Sequence, residues 1–304
     1  MTVEPVQTRS PSKVAATTWQ RTVAKPVSVA GFGYWSGNDI TVEFRPAGPD
    51  TGICFVRRDL DPVQRIRANI SNRIDFPRRT TLGENGATVE MVEHVLASLA
   101  GLGISNCEVW VDALEMPGCD GSSLAFVEAL DSVGTQEQGA SLDQLVVTKT
   151  CRVQEGTSWV EARPSRKSGM FVEATVDYGA DTAIGRQEFA SEVTPDLFRD
   201  ELASARTFVL ESEAQAMLSQ GICQRATCRD LLVFDDDGPI DNPLRFQNEC
   251  ARHKALDLVG DLALAGCQLN GRFVGFCSGH RLNAMLVECL LADFDADGSQ
   301  RGNS

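Results

Sequence analysis

Cys119–Leu124 reads CDGSSL and Cys277–Leu282 reads CSGHRL, so Cys, Gly and Leu recur in the same places, each time just ahead of a helical stretch carrying Val-Glu, one more residue and Leu. The surroundings match too. A helical segment ending in Leu-Ala-Gly precedes each copy, about Thr88–Ala100 in one case and Asn248–Gly266 in the other, and a strand-like run follows it, NCEVWVDAL from Asn106 and RFVGFC from Arg272. Further out, strand runs alternate with Gly- and Pro-containing turns: VSVAGFG, ITVEFRP and ICFVRRDL in the first half, LVVTKTCRV, SWVEARP and FVEATVDY in the second. This is an internal duplication, and it predicts an α+β fold of two similar two-layer halves. The first domain is expected over 26–137 and the second over 138–295, with flexible tails at 1–25 and 296–304 and a polar linker at about 134–143. Runs of strands followed by helices, without GxGxxG spacing at Gly33, exclude a doubly wound nucleotide fold.

Composition narrows the function. The 304 residues carry a formal charge of −14, which opposes nonspecific binding to nucleic acid or to an anionic membrane surface. No stretch approaches the roughly 18 to 20 apolar residues of a membrane helix, and the first twenty residues lack the apolar core of a signal peptide. A cytoplasmic protein without stable membrane insertion is expected. The ten cysteines include no CxxC, which excludes a thiolate zinc ribbon and fits free, buried thiols in a reducing compartment.

Only three histidines are present, and each sits among other reactive side chains. His253, Asp257 and Asp261 recur at four-residue steps and so form one stripe along a helix whose apolar face is a different one, Cys250, Leu256, Val259 and Ala263. A His and a carboxylate one turn apart can grip one metal ion, or can simply pair on a solvated face. Glu93 and His94 are adjacent and point about 100° apart, which implies different roles: His94 would complete a 2-His-1-carboxylate set, and Glu93, beside the ion, would take a proton from water. The same triad also describes non-haem Fe(II) sites. His280 lies in a Gly-containing turn before a helix, where a charged imidazole can face an oxyanion. Asp261, about 12 Å along the helix from His253, is placed to orient it. Thr207 beside Arg206, and Arg252 and Lys254 beside His253, are candidates for holding an anionic substrate.

The strings TTLG, VEMVEHVLASLAGLGISN, DGSS, SARTF, LRFQNECARHKALDLVGDLALAG and SGHRLNAMLVECL, in this order over about residues 27–292, resemble the bacterial UDP-3-O-acyl-N-acetylglucosamine deacetylase family of lipid A synthesis. The resemblance implies two α+β halves, each with a small insert, facing each other across the active site. It implies Zn²⁺, with Fe²⁺ as the alternative ion, on His94, His253 and Asp257. Glu93 would then be the general base, His280 the general acid or oxyanion partner with Asp261 behind it, and Thr207 a hydrogen-bond donor to the substrate carbonyl. Lys254, Arg206 and Phe208 would contact the UDP-sugar lipid, and a monomer is expected. Two departures stand out. Trp35 in GFGYWSG replaces the family's histidine, and Gln224, Arg225 and Ala226 stand where small residues line the acyl passage, so Arg225 is expected to narrow it or to favour a shorter or different chain. The alternative is a divergent paralogue with another acylamide substrate, or one that only binds a nucleotide sugar.

Overall fold

The computed structural model describes residues 18–301. In chain order the elements are β1 Trp19–Val23, β2 Val27–Phe32, β3 Asp39–Pro46, β4 Ile53–Arg57, β5 Gln64–Arg67, β6 Arg73–Ile74, β7 Thr81–Glu84, β8 Ala87–Glu90, α1 Glu93–Gly101, β9 Cys107–Val111, α2 Leu124–Val133 and β10 Thr135–Ser141. There follow β11 Gln144–Val146, β12 Cys151–Glu155, β13 Ser158–Arg163, β14 Met170–Asp177, β15 Arg186–Glu192, α3 Pro195–Leu197, β16 Phe208–Leu210, α4 Glu211–Ser219, β17 Leu232–Phe234, α5 Glu249–Leu262, β18 Gln268–Phe276 and α6 His280–Arg301.

The architecture is α+β. The first sheet runs β2-β3-β9-β4-β5 and the second β12-β13-β18-β14-β15. In both, the late strand enters between two hairpins, antiparallel to the first hairpin and parallel to the second, as β9 does beside β4 and β18 beside β14. Each sheet therefore has the same order and the same senses, and each late strand is flanked in sequence by two helices, α1 and α2 or α5 and α6. The interruptions are also in equivalent places. Between β5 and α1 lies the small sheet β6-β7-β8; between β15 and α5 lie α3, α4 and the parallel pair β16-β17.

The apolar residues that set the helical periods of α1 and α5 are buried together, and one hydrophobic cluster runs from the first sheet to the second through Val95, Leu96, Leu99, Leu256 and Val259. The two helices approach so closely at Gly260 that a Cβ there would lie 2.2 Å from the Glu93 carbonyl oxygen, a contact only glycine avoids. Among the described residues no helix is long and apolar enough to cross a membrane.

Several sequence expectations are corrected. Thr88–Glu90 belongs to β8 rather than to the first helix, because Met91 takes a positive φ of 59° and turns the chain before α1 begins. The expected linker at 134–143 and the end of the expected tail at 1–25 are instead β10 and β1, paired antiparallel, with Val23 and Thr22 buried beneath them; residues 1–17 lie outside those described. The expected C-terminal tail from 296 is helical as far as Arg301. LVVTKTCRV divides between β11, added to the second sheet beside β18, and β12 at its far edge. Not every thiol is free, since α6 packs across β12 and joins Cys289 to Cys151; the other eight are unbridged.

Candidate metal centre

The stripe on α5 faces the buried N-terminal turn of α1 and not solvent. His94, His253 and Asp257 are at most 8% exposed, and they offer ligand atoms that all lie within 4.8 Å of one another. Asp257 Oδ1 is 3.5 Å from His94 Nε2 and 3.4 Å from His253 Nε2. His253 Nδ1 is held at 3.2 Å by the Ala205 carbonyl, which keeps its proton there and turns the Nε2 lone pair into the cluster. Lys254 Nζ donates to Asp257 Oδ2 at 2.9 Å, but the buried Oδ1 has no hydrogen-bond partner among the described residues. A buried carboxylate oxygen without a donor is costly, and a cation between it and the two Nε2 atoms removes that cost.

The electrostatics agree with such a donor set. Burial drives the His253 imidazole down to about 3, hence neutral. Burial would raise Asp257, but the His253 imidazole and the Lys254 ammonium outweigh it and hold the carboxyl well below the usual range. Two imidazoles and one carboxylate would leave one position of a four-coordinate ion open, which suits a catalytic divalent ion.

Glu93 and His280 stand beside this cluster. Glu93 Oε2 accepts from the Thr80 N–H at 3.0 Å, and its Oε1 lies 3.9 Å from His280 Nε2. Burial raises the Glu93 carboxyl, with His280 and His94 opposing. His280 begins α6, and its Nδ1 meets Asp261 Oδ2 at 2.9 Å. Burial alone would lower this imidazole, but the Asp261 carboxylate prevails and it is pushed up to about 9, so it is charged at neutral pH. Asn283 Nδ2 also donates to Asp261 Oδ2, at 2.8 Å.

Glu93, His94, His253, Asp257 and His280 open onto a cleft of about 1080 Å³ that also takes in Thr207, Phe208 and Lys254, while Asp261, Thr80 and Asn283 do not line it. Away from the cluster its walls are mixed: Phe76 from the small first insert and Val209, Met217, Leu218 and Val233 from the second give an apolar surface, interrupted by Arg78, Glu211, Glu213 and Gln215. The turn at Gly121 places Thr207, whose N–H donates to the Gly121 carbonyl at 2.6 Å. The Phe208 ring braces His253 edge-on at 6.2 Å between centroids.

Three sequence candidates lie elsewhere. Arg206 is buried and points away from the cleft, its guanidinium spent on Glu249, Asn242 and the Pro243 carbonyl, because residue 206 faces opposite to its neighbour Thr207. Arg252 is drawn off by Asn248 and Glu201 and stacks on Phe246 and Phe189. Arg225 does not narrow the cleft either; it donates to Asp39 and the Gly37 carbonyl and lies over the Phe32 ring, pinning the second insert to the β2–β3 turn. Trp35 does line the cleft, with the Arg79 guanidinium 4.1 Å from its ring centroid. Thr80, which bonds Glu93 and Asp261, and Asn283, which bonds Asp261, were not singled out by spacing: hydroxyl and amide side chains carry no sequence signal until their partners are known.

The family described as LpxC, UDP-3-O-acyl N-acetylglycosamine deacetylase, matches residues 20–292. The chain belongs to this family. It is 39% identical over 277 residues, 90% of its length and 96% of theirs, to the UDP-3-O-acyl-N-acetylglucosamine deacetylases of Brucella ovis, Brucella canis and Brucella suis. In this LpxC family member the matched region holds every residue of the cluster, from Glu93 and His94 on α1 to His280 at the start of α6.

Proposed function

We propose that the protein is a divalent-metal amidase that hydrolyses the acetamide of UDP-3-O-acyl-N-acetylglucosamine, giving UDP-3-O-acyl-glucosamine and acetate. The observation that carries this reading is the orphaned Asp257 Oδ1 facing two Nε2 atoms on a cleft that also presents an apolar surface of Phe76, Val209, Met217, Leu218 and Val233. His94, His253 and Asp257 would hold Zn²⁺, which when bound supplies Lewis acidity toward an oxygen in reach.

The chain's own groups supply the rest. Glu93, with Oε2 tied to Thr80, has Oε1 free to take a proton from water as its oxygen bonds to the acetamide carbon. His280, charged and facing the same space, donates toward the carbonyl oxygen as negative charge collects there, and the Thr207 hydroxyl lies on the same cleft. The C–N bond then breaks, and the amine leaves with the proton that Glu93 accepted or with one from His280. Lys254 balances Asp257 while remaining on the cleft surface, where a diphosphate can meet it. The apolar surface of Phe76, Val209, Met217, Leu218 and Val233 suits the acyl chain.

Acetate release from this substrate by the metal-loaded protein, and its loss in Glu93→Gln with metal still bound, is the expected result. A wild-type protein that binds metal stoichiometrically and releases no acetate at any acyl length would refute the assignment and favour another acylamide.

A further inference from the structure

Thr80 is fully buried, and it belongs neither to the metal donors nor to the cleft wall. All three of its polar groups are nevertheless committed around the site. Its N–H donates to Glu93 Oε2 at 3.0 Å, its carbonyl accepts from the Val92 N–H at 3.3 Å, and its hydroxyl donates to Asp261 Oδ1 at 2.6 Å. The first two bonds fix the start of α1, where Glu93 sits. The third reaches the far end of α5 and engages the carboxylate whose other oxygen holds His280 and Asn283. Thr80 is held in turn from its own side: Arg79 pairs with Glu90 at 2.7 Å and is sandwiched between the Trp35 and Phe76 rings, and β7 begins at Thr81. A β-branched side chain has few rotamers, so a hydroxyl placed this way is fixed in direction.

We propose that Thr80 is the positioning residue that sets Glu93 and the Asp261–His280 pair in register with each other. The inference rests on the amidase reading above. Without the hydroxyl, Asp261 Oδ1 keeps no donor, its carboxylate is free to rotate, and His280 Nδ1 loses a fixed acceptor. Thr80 touches neither metal donors nor cleft, so its loss acts on turnover and leaves metal and substrate binding in place.

The test compares Thr80→Val, which keeps the shape and the N–H but not the hydroxyl, with Thr80→Ser, which keeps both polar groups. Three readouts are needed: steady-state acetate release, bound metal, and the His280 Nδ1 proton resonance of ¹⁵N-labelled protein. Thr80→Val should lower kcat about 10–100-fold, the usual scale for outer partners of a metal site. KM should stay within about two-fold, metal should remain stoichiometric and the Nδ1 proton should shift or vanish, while Thr80→Ser stays near wild type. An unchanged kcat, a fall that comes with loss of metal, or a Thr80→Ser as impaired as Thr80→Val would overturn the proposal. If the wild type releases no acetate, the amidase reading fails separately and the Nδ1 resonance alone decides: moved in Thr80→Val and kept in Thr80→Ser supports the positioning, unmoved overturns it.

Discussion

His280 and Glu93 share one space, and on the proposed amidase reading they have opposite needs, one to hold a proton and the other to have lost it. The Asp261 carboxylate settles the first by pushing His280 up to about 9, so the imidazolium is present below that pH and disappears as pH rises through it. kcat/KM should therefore fall on an alkaline limb near 9, and His280→Gln should abolish that limb while lowering kcat about 10²–10³-fold, the scale of a lost oxyanion donor, with metal content unchanged. A limb that persists in the variant would assign it to another group. At this scale the i, i+4 stripe of His253, Asp257 and Asp261 could be read directly, because helical spacing alone puts the three on one face. Arg206 was misread because proximity in sequence to Thr207 says nothing of which way an irregular segment turns. Thr80 escaped because its hydroxyl partner lies across the whole fold, on another helix.

The helix pair α1–α5 is the element on which the proposed donor set depends, and Gly260 sets its spacing. An added methyl meets the Glu93 carbonyl at 2.2 Å, backbone against side chain with nothing flexible to yield. Gly260→Ala should force the helices apart, lower stability by about 1–3 kcal/mol as overpacking does, and weaken metal binding more than a remote mutation of equal destabilising effect. Thermal unfolding together with metal titration separates the two effects; a variant that binds metal as the wild type does would show that the spacing is not critical. α5 was legible because its 3.6-residue period runs for nearly four turns. The start of α1 was not, since three residues of TVE fit a strand and a helix equally and the reversal depends on the φ of Met91. β1 and β10 were illegible for another reason: each is a strand only because the other pairs with it across a long sequence separation.

Across the whole molecule the two sheets share one order and one core, and the inserts interrupt both halves just ahead of the helix that carries the donors. Two halves of similar topology were legible from the short repeat at Cys119 and Cys277, whereas the inserts came only with the family resemblance, and their reach over the cleft was not legible because insert lengths and Arg contacts such as Arg225 to Asp39 follow no period. A metal bound by the native state alone stabilises in proportion to the logarithm of its free concentration over Kd, about 2.7 kcal/mol at 100 Kd. Added Zn²⁺ should raise the unfolding temperature of metal-stripped protein in a concentration-dependent way, and Asp257→Asn should lose most of that response. Equal shifts in both proteins would place the stabilising ion elsewhere.

His94 comes from the helix of the first half, His253 and Asp257 from that of the second. A ribosome-bound chain that stops short of Asp257 carries an isolated imidazole or two and no chelate, so the nascent protein cannot sequester metal before its second half exists. On the proposed reading, ion binding would thus report that the chain has been made through α5, and a fragment ending before Asp257 would not compete with the finished protein for the ion.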